Sequence, residues 1–514
     1  MSRGSAAEAA LAGVAAGAVT LGMAEIGAAL LTRTGGAGAT PSPLLAVADT
    51  TVDYSPAWLR DIAIATFGAA DKTVLLVGMG VMLAVVCAGI GRLAASRMTT
   101  AMLTFVVVGA VGTTAVLTRP GAQVGDVVPT AVAVVVGLFV MNGLSRPRPQ
   151  RQAGVEQPAT STDRRSVLVW GASLTVLGTL GIVAGRALQG AGQVVRAARE
   201  MFTVPAVAEP VVIPAQVDPG VEGLSPWRTP NDAFYRIDTA LAVPQVDPGT
   251  WRLRVHGLVE REVEIDFDHL LAQEMVEAAV TLTCVSNPVG GDLVGNAVWT
   301  GWPVRELLAR AEPDPDADVV LSTSADGWSA GTPLNVLTDE RNALLAVAMN
   351  GRPLPAQHGF PVRLVVPGLY GYVSATKWVT DLKVTRFADD EGYWSPRGWS
   401  ERGPIKTASR IDVPAGERVQ AGATVIAGVA WAQHRGISAV EVRIDNEPWQ
   451  QATLAAEPSV DAWRMWHLDW EATPGEHVIV VRATDGSGAT QTERAMPPVP
   501  DGASGWHSVQ VEVI

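Results

Sequence analysis

Cysteine, lysine and histidine are scarce in this chain of 514 residues, and each shortage excludes a class of function. The only cysteines are Cys87 and Cys284, so a disulfide framework and a four-cysteine zinc site within one chain are both excluded. Lysine occurs four times and the net charge is −13, which argues against a nucleic-acid-binding surface.

The first 190 residues contain no histidine, because all seven histidines lie at His256 or beyond. A b-type haem held by two histidines is therefore excluded from this half of the chain. Charged residues make up 17% of the sequence and are nearly absent from long runs of residues 1–190, while hydrophobic residues make up 48%. This composition also excludes intrinsic disorder.

Five apolar stretches in the first half approach or exceed the roughly 20 residues that a helix needs to cross a bilayer. They are residues 7–31, 73–96, 99–118, 127–144 and 166–188. We therefore predict that residues 1–190 form a transmembrane region of five helices. Glu25 lies within the first stretch, where a carboxylate is either functional or turned toward a neighbouring helix. In the second stretch, Cys87 is expected to be a small packing residue, and the glycines are expected to allow close helix contacts: Gly78, Gly80, Gly89 and Gly91.

Arginine distribution predicts the orientation of these helices. The link between the fourth and fifth stretches is the most basic, with Arg146, Arg148, Arg151, Arg164 and Arg165. Because basic links stay in the cytoplasm, the N-terminus is predicted to be cytoplasmic. Everything after the fifth stretch is then extracytoplasmic, and the protein is a multi-pass protein of the cell membrane.

The same basic link, residues 146–166, is a Pro- and Arg-rich polar segment that ends in Thr162-Asp163-Arg164-Arg165-Ser166 before an apolar run. It resembles a twin-arginine (Tat) export signal, which serves domains that fold before they cross the membrane. A basic flank next to an ordinary membrane helix would look similar, so both interpretations stay open. The apolar run has no A-x-A cleavage site and is expected to remain as an anchor.

The second half of the chain is predicted to be two domains behind an extended connector. Residues 191–225 are rich in Pro and Val and form the connector. Residues 226–407 mix short strands with helices near 267–275 and 303–310, which indicates an α+β domain. Residues 408–514 consist almost entirely of short strands between turns, which is typical of an immunoglobulin-like all-β sandwich.

Cys284 is the only cysteine outside the apolar stretches, and it follows a strand-like run in TLTCVSNPVGG. Three interpretations are open for it: a buried structural thiol, a nucleophile, or a soft metal ligand. No local motif of a cysteine hydrolase accompanies it.

A set of motifs in residues 226–514 is similar to the sulfite oxidase family of molybdopterin-dependent oxidoreductases. The motifs are NDAFYR (231–236), WRLRVHGLV (251–259), TLTCVSNP (281–288), VWTGWPVRELL (298–308), LAVAMNGRPLPAQHGFPVRLVVPGLYGYVSATKWV (345–379) and YWSPRGW (393–399). The tail, with VAWAQ (429–433) and VEVRIDNEPW (440–449), resembles the immunoglobulin-like dimerisation domain of that family.

The resemblance implies a molybdenum–molybdopterin cofactor, with Cys284 as the thiolate ligand of the metal. Residues matching positions that hold the pterin and its phosphate are Arg236, Asn287, His358, Arg363 and Lys377, with the backbone of Ser374, Ala375 and Thr376. Arg236 also matches an arginine near the metal, and Trp399 stands where sulfite oxidases carry a tyrosine near the metal. The catalytic candidates are therefore Cys284, Arg236 and Trp399, and the role of Asn287 is either structural or catalytic.

The substrate positions depart from the family. Two arginines normally follow Cys-x-x-Asn, but Pro288 and Val289 stand here, and Ile237 and Asp238 follow the FYR motif in place of Asn and His. Lost positive charge weakens binding of a dianion in a partly buried site. Sulfite is therefore a poorer expectation than a neutral or less charged donor or acceptor of an oxygen atom.

The leading hypothesis is thus a membrane-anchored, extracytoplasmic oxidoreductase that transfers an oxygen atom to or from a small molecule. The first half has no histidine to bind a haem, and the sequence contains no C-x-x-C-H motif for haem attachment. The electrons are therefore expected to pass through a separate cytochrome or a quinone-linked carrier. A homodimer through the C-terminal domain is expected by analogy alone. The alternatives are a cofactor-free membrane scaffold with a degenerate enzyme fold, and a membrane sensor or docking subunit.

Overall fold

The computed structural model describes residues 3–33, 41–56, 59, 62, 66–67, 70–119, 122–145, 161–190, 193–416 and 418–514. The chain divides into two compact units. One comprises Met1–Val194 together with Ala240–Val243, and the other comprises Val195–Thr239 and Pro244–Ile514. Residues 146–160 of the predicted polar linker lie outside the described residues.

The described part of the first unit is built from helices. In chain order they are α1 (Arg3–Arg33), α2 (Pro43–Tyr54), α3 (Asp71–Ala94), α4 (Met98–Leu117), α5 (Val128–Ser145) and α6 (Ser161–Gly190). Five segments are long and apolar enough to cross a membrane: Ala6–Arg33, Asp71–Ala94, Met98–Leu117, Val124–Ser145 and Leu168–Leu188. They coincide with the five predicted stretches. The end of the predicted linker is different, because residues 161–166 already belong to the first turns of α6.

Close contacts of α1 with α3 and α6 depend on glycine. A Cβ on Gly91 would lie 2.1 Å from the carbonyl oxygen of Ala9, and one on Gly178 would lie 2.3 Å from the carbonyl carbon of Ala18. Cys87 packs beside Gly17 and is buried, as expected. The expectation was wrong for Gly78, Gly80 and Gly89, around which the described residues leave open space. Sequence spacing could not tell which side of α3 faces another helix.

Glu25 is fully buried in α1 and holds the start of α2. The Ser42 hydroxyl donates to the Glu25 carboxylate at 2.7 Å, and the Leu44 N–H donates to it at 3.3 Å. Ser42 is also the N-cap of α2, where it accepts from the Leu45 N–H. A carboxylate at a helix N-terminus satisfies free N–H groups and favours the helix dipole. These contacts support the structural interpretation of Glu25.

The second unit begins with a helix, which corrects the prediction that residues 191–225 are extended throughout. Helix α7 (Gln193–Met201) precedes an irregular segment. Val195 is buried in α7, and Arg199 donates to the carbonyl of Leu354 at 2.8 Å. The amphipathic spacing of QVVRAAREM explains the helix, and the prolines responsible for the extended prediction begin only at Pro205.

The α+β region that follows contains two sheets and short helices. One sheet has the strand order β2-β1-β10-β5-β6, with β1 and β10 parallel, and the other has the order β3-β4-β7-β8, with β9 paired to β7. The elements are β1 (Arg252–Gly257), β2 (Val263–Asp266), α8 (Phe267–Leu271), β3 (Val276–Thr283), β4 (Val294–Pro303), α9 (Val304–Ala311), β5 (Val319–Ser324), β6 (Ser329–Pro333), α10 (Leu334–Thr338), β7 (Leu344–Met349), β8 (Arg352–Pro353), β9 (Arg363–Val365) and β10 (Val379–Thr385).

Strand β4 lies at the centre of the second sheet and is buried along its whole length. Its W-x-G-W sequence has a steric reason, because a Cβ on Gly301 would lie 2.5 Å from the carbonyl oxygen of Leu345 on β7. Strand β3 pairs with β4 over its full length, so its last residue, Thr283, is fixed directly before Cys284.

The C-terminal region consists of two further sheets, ordered β11-β13-β17-β16 and β12-β19-β18-β14-β15. The strands are β11 (Ala408–Val413), β12 (Arg418–Val419), β13 (Gly422–Trp431), β14 (Ile437–Ile444), β15 (Gln450–Gln451), β16 (Thr453–Leu454), β17 (Arg464–Ala472), β18 (Gly475–Asp485) and β19 (His507–Val513). Burial alternates along β14 and β18, as expected for strands with one face on a core.

The α+β region and the C-terminal region share a hydrophobic core. Trp431, Trp463 and Met465 of the C-terminal region belong to the same buried cluster as Trp227 and Tyr370. A second cluster lies between the two C-terminal sheets and includes Ile426, Trp466 and Val481. The two regions therefore pack as one body.

Asp485, at the end of β18, provides a test of this packing. Its side chain is 3% exposed, and it accepts from Arg435 at 2.9 Å, Thr407 at 2.9 Å and Ser487 at 2.6 Å. Burial alone would raise the pKa of Asp485, but these bonds and the Ala489 N–H outweigh it and hold the pKa well below its ordinary value.

We predict that Asp485→Asn lowers the free energy of unfolding by roughly 2 kcal/mol at pH 7, because charge-assisted bonds are lost. A depressed carboxylate pKa stabilises the fold fully above the ordinary pKa of about 4, and this contribution disappears as the pH falls through the folded-state value. The difference in the free energy of unfolding between Asp485→Asn and the wild type should therefore become smaller as the pH falls from about 4 to 2. Thermal unfolding of the detergent-purified chain and hydrogen exchange of β14 and β18 measure this difference in stability. Asp469→Asn, which changes an exposed carboxylate, is the control. An equal difference at pH 7 and pH 2.5 would contradict this account.

Candidate functional site

A cleft in the second unit is lined by residues that are far apart in sequence. They are Phe234, Tyr235, Ile237, Asp238, Thr239, Leu282, Cys284, Val285, Ser286, Ser324, Asp326, Trp328, His358, Arg363, Gly371, Tyr372, Ala375, Lys377, Trp378, Trp394 and Trp399. Six of the residues predicted from the sequence are therefore brought together here: Cys284, His358, Arg363, Ala375, Lys377 and Trp399.

Cys284 lies at the point where β3 ends and the chain turns. Its N–H donates to the carbonyl of Leu293 at 2.9 Å, and its carbonyl accepts from the Asn287 N–H at 3.1 Å. Burial raises the pKa of the Cys284 thiol, while hydrogen bonds from Ser286 and the positive charge of Lys377 act to lower it. A bound metal would supply the charge needed to keep this sulfur as a thiolate.

Asn287 supports the turn and does not line the cleft. Its side-chain oxygen accepts from the Leu293 N–H at 2.9 Å, and the residue is buried. This geometry favours the structural alternative over direct contact with a cofactor.

Arg363 carries a buried charge that the described residues do not neutralise. It is 5% exposed, and its guanidinium donates only to backbone carbonyls, those of Leu364, His358 and Ala375, at 3.2 to 3.4 Å. No ion pair joins it to a carboxylate in the described part of the chain. The guanidinium also lies 5.0 Å from the ring centre of Trp299. Burial lowers the pKa of Arg363 to about 10, so it stays charged at neutral pH.

Lys377 and Arg236 share one carboxylate, that of Asp238. Lys377 Nζ lies 2.7 Å from Asp238 Oδ2, and Arg236 Nε lies 2.8 Å from the same oxygen. Burial lowers the pKa of Lys377 to about 8, although Asp238 acts in the opposite direction. Arg236 does not line the cleft, and its ion pair with Asp238 connects it to the cleft wall.

His358 is neutral at physiological pH. Burial, together with the positive charges of Arg363 and Lys377, lowers its pKa to about 4. Its Nε2 lies 3.2 Å from the carbonyl oxygen of Asn231, so this nitrogen carries the proton. His358 therefore fixes the segment before the FYR motif and adds no charge to the cleft.

Ser374 and Thr376 support the cleft wall with side chains that are already occupied. The Ser374 hydroxyl donates to the carbonyls of Leu369 and Tyr370, and the Thr376 hydroxyl lies 2.7 Å from that of Ser322. Of the three predicted backbone contacts, only Ala375 borders the cleft.

Several residues of the cleft were not identified from the sequence. Pro288 and Val289 do not line the cleft, and neither side chain carries a charge. The missed lining residues are Tyr235, Asp326, Trp328, Tyr372 and Trp394, and the pairing role of Asp238 was missed as well. Aromatic and acidic residues in loops carry no spacing signal that could have identified them.

The residues present fit an anionic cofactor that brings its own sulfur ligands to a metal. Among the described residues no group of three or more His, Cys, Asp or Glu side chains could hold a metal, so Cys284 can act only as one ligand among others from elsewhere. Arg363, Lys377 and Arg236 give three positive charges against two lining carboxylates, Asp326 and the Asp238 that pairs with Lys377 and Arg236. This excess suits a phosphate group, which arginine binds in bidentate fashion.

The strand that carries Cys284 is braced from the C-terminal region. Gln433 is fully buried, and its Nε2 donates to the carbonyl of Thr281 at 2.8 Å and to the Thr283 hydroxyl at 3.1 Å. The Thr281 hydroxyl accepts from the Trp463 N–H at 2.7 Å, and the Thr281 N–H donates to the carbonyl of Asp461 at 2.9 Å. Strand β3 is thus fixed by β4 on one side and by these contacts on the other.

Comparison with known proteins agrees with this geometry. Residues 240–394 match the family described as "Oxidoreductase molybdopterin binding domain". The chain is 33% identical over 157 residues to the uncharacterized oxidoreductase YuiH of Bacillus subtilis, covering 30% of this chain and 76% of that protein. It is 30% identical over 343 residues to mitochondrial sulfite oxidase of Mus musculus, covering 56% of this chain and 62% of that enzyme.

A solved structure shares the fold of the second half. The sulfane dehydrogenase SoxCD of Paracoccus pantotrophus matches 61% of this chain and 89% of its own chain, with a TM-score of 0.50 and 23% identity. The similarity to mouse sulfite oxidase spans less than two thirds of that enzyme.

We predict that Gln433→Leu destabilises the site, because the buried carbonyl of Thr281 loses its donor, at a cost of roughly 1 to 3 kcal/mol. Unfolding of the detergent-purified protein measures the loss, and faster hydrogen exchange over residues 279–285 localises it. The matched control is Gln451→Leu at the exposed end of β15, which should change neither quantity. Unchanged exchange at β3 in Gln433→Leu would show that the brace is not needed.

Proposed function

Because this chain belongs to the sulfite oxidase family of molybdopterin-dependent oxidoreductases, we propose that it is a membrane-anchored, extracytoplasmic enzyme that performs two-electron oxygen-atom transfer on a small molecule. Its cofactor is molybdenum–molybdopterin. The single observation that carries the proposal is the arrangement of the Cys284 thiol beside the buried cations Arg363 and Lys377 in one cleft.

Each of these residues has a defined part in the reaction. When bound, the cofactor supplies oxygen-atom transfer, with the metal cycling between the VI and IV states. Cys284 presents one thiolate from the rigid end of β3. Arg363 offers its guanidinium to the cofactor phosphate, and Lys377, oriented by Asp238, provides a second positive charge. The aromatic side chains Trp399 and Tyr372 restrict water at the outer end of the cleft.

The cleft supports a substrate other than sulfite. The basic residues of its lining, Arg363 and Lys377, are assigned to the cofactor, and no further arginine or lysine of the described part of the chain lines it. An oxyanion would therefore gain little electrostatic attraction at the remaining surface. A substrate whose reacting oxygen donor or acceptor group is neutral or less negatively charged than sulfite fits this surface better.

The helical half supports the membrane anchor. Five segments have the length and apolar composition of membrane helices, and the most basic link lies before the fifth. Positive-inside orientation then leaves the catalytic region outside the cytoplasm. With no histidine in residues 1–190, the electrons move through a separate cytochrome or quinone-linked carrier. The two C-terminal sheets are consistent with an immunoglobulin-like domain and with a homodimer through it.

The first test is the molybdenum and pterin content of the detergent-purified chain. We expect stoichiometric molybdenum in the wild type, and loss of the metal or an altered EPR signal in Cys284→Ser, because the thiolate ligand is removed. Cys87→Ala is the matched control, since its thiol is buried in α3, and it should keep normal molybdenum. No molybdenum and no pterin, from cells able to make the cofactor, would favour the scaffold hypothesis.

The second test separates export of a folded domain from an ordinary basic flank. Arg164→Lys with Arg165→Lys keeps the positive charge, so helix orientation should not change. If the pair is a twin-arginine signal, the catalytic region should stay in the cytoplasm, as measured by protease accessibility in spheroplasts. Arg146→Lys with Arg148→Lys is the charge-matched control and should be exported normally. Normal export of the Arg164/Arg165 variant would show that the arginine pair is not a twin-arginine export signal.

A further inference from the structure

We infer that the outer rim of the cleft is an aromatic cage for a methylated cationic head group, such as a quaternary ammonium or a sulfonium. The inference rests on the proposed function, because it names a recognition group that the substrate of this oxidoreductase carries beside its separate, oxygen-transferring centre. The rim is defined here as Asp326, Trp328, Tyr372, Trp394 and Trp399, all of which line the cleft.

Direct contacts make the rim continuous. The rings of Trp394 and Trp399 are 6.5 Å apart between centroids, and those of Trp399 and Tyr372 are 5.9 Å apart. The Tyr372 hydroxyl donates to the carbonyl of Ser400 at 2.6 Å, which fixes its ring. Three aromatic rings therefore form one connected wall.

The β5–β6 hairpin joins this wall from the other side. Tyr393 N–H donates to the carbonyl of Ser329 at 3.0 Å, which joins the segment that carries Trp394 to the hairpin that carries Trp328. The Ala325 N–H donates to the carbonyl of Trp378 at 2.9 Å, which anchors the hairpin next to Lys377. Asp326 and Trp328 are placed at the cleft by these two bonds.

Asp326 gives the rim a negative charge. Its Oδ1 accepts from the Trp328 N–H at 3.2 Å, and no ion pair joins it to an arginine or lysine in the described part of the chain. The other lining carboxylate, Asp238, already faces Lys377 and Arg236. Nearby arginines are directed elsewhere: Arg397 lies over the Tyr393 ring, and Arg402 lies over that of Phe387.

Aromatic faces and a carboxylate are the combination that binds onium groups. The negative face of an indole or phenol ring attracts a cation, and a methylated cation loses little hydration when it enters such a site. An oxyanion would meet the same faces and Asp326 with repulsion. A neutral apolar group would gain burial but no preference from Asp326. The rim therefore selects by charge as well as by shape.

The test uses the full-length, detergent-purified protein with tetramethylammonium as the probe. Its binding is measured by calorimetry beside 2,2-dimethyl-1-propanol, a neutral molecule of similar shape, and sulfate. We expect tetramethylammonium to bind at least tenfold more tightly than the alcohol, and sulfate not to compete with it. Molybdenum content of the same samples is recorded, so that a failure of the proposed function is seen separately.

Two variants assign the binding to the rim. Asp326→Asn should remove most of the preference for the cation over the alcohol, and Trp399→Leu should weaken cation binding at least tenfold. Asp469→Asn, an exposed carboxylate on β17, is the matched control and should bind as the wild type. Equal binding of cation and alcohol by the wild type, preferential binding of sulfate, or unchanged cation binding in both rim variants would overturn the inference.

Discussion

Burial of the Arg363 guanidinium without a carboxylate partner is the constraint on which the rest of the catalytic half depends. A charge held only by carbonyl oxygens in a dry site costs free energy unless an anion joins it. In the function proposed above, the cofactor phosphate is such an anion, and a ligand that binds only the folded state stabilises that state by mass action. Loading and folding of this domain are thus linked, which agrees with the proposed export of an already folded domain.

Large parts of the fold could be predicted from the sequence because single physical rules determine them. The five apolar segments follow from bilayer thickness, and the strands around Val440 and Val481 follow from alternating burial. Strand β3 was recognised only as a strand-like run before Cys284, and β4 and β7 were not predicted, because strands buried on both faces read as continuous apolar runs. The short helix at Gln193–Met201 was hidden by the prolines that follow it.

The candidate site, like the fold, could be predicted from the sequence only in part. Cys284, His358, Arg363 and Lys377 could be found because they lie in motifs that resemble a known family. Their partners could not: Asp238 lies 139 residues from Lys377, and Gln433 lies 152 residues from Thr281. Such pairs form only when separate strands and loops meet, and a single sequence does not record which of them do.

The two ends of the cleft are built from different kinds of structure, and this separates cofactor binding from substrate choice. Cys284 follows β3, and Arg363 begins β9, so both belong to a sheet buried within the core. Asp326, Trp394 and Trp399 lie in loops, where residues can change without disturbing strand pairing. An inner end that is positive and an outer end that is aromatic and acidic can therefore coexist. In the function proposed above, the inner end binds the cofactor, and the loops determine which molecule reaches it.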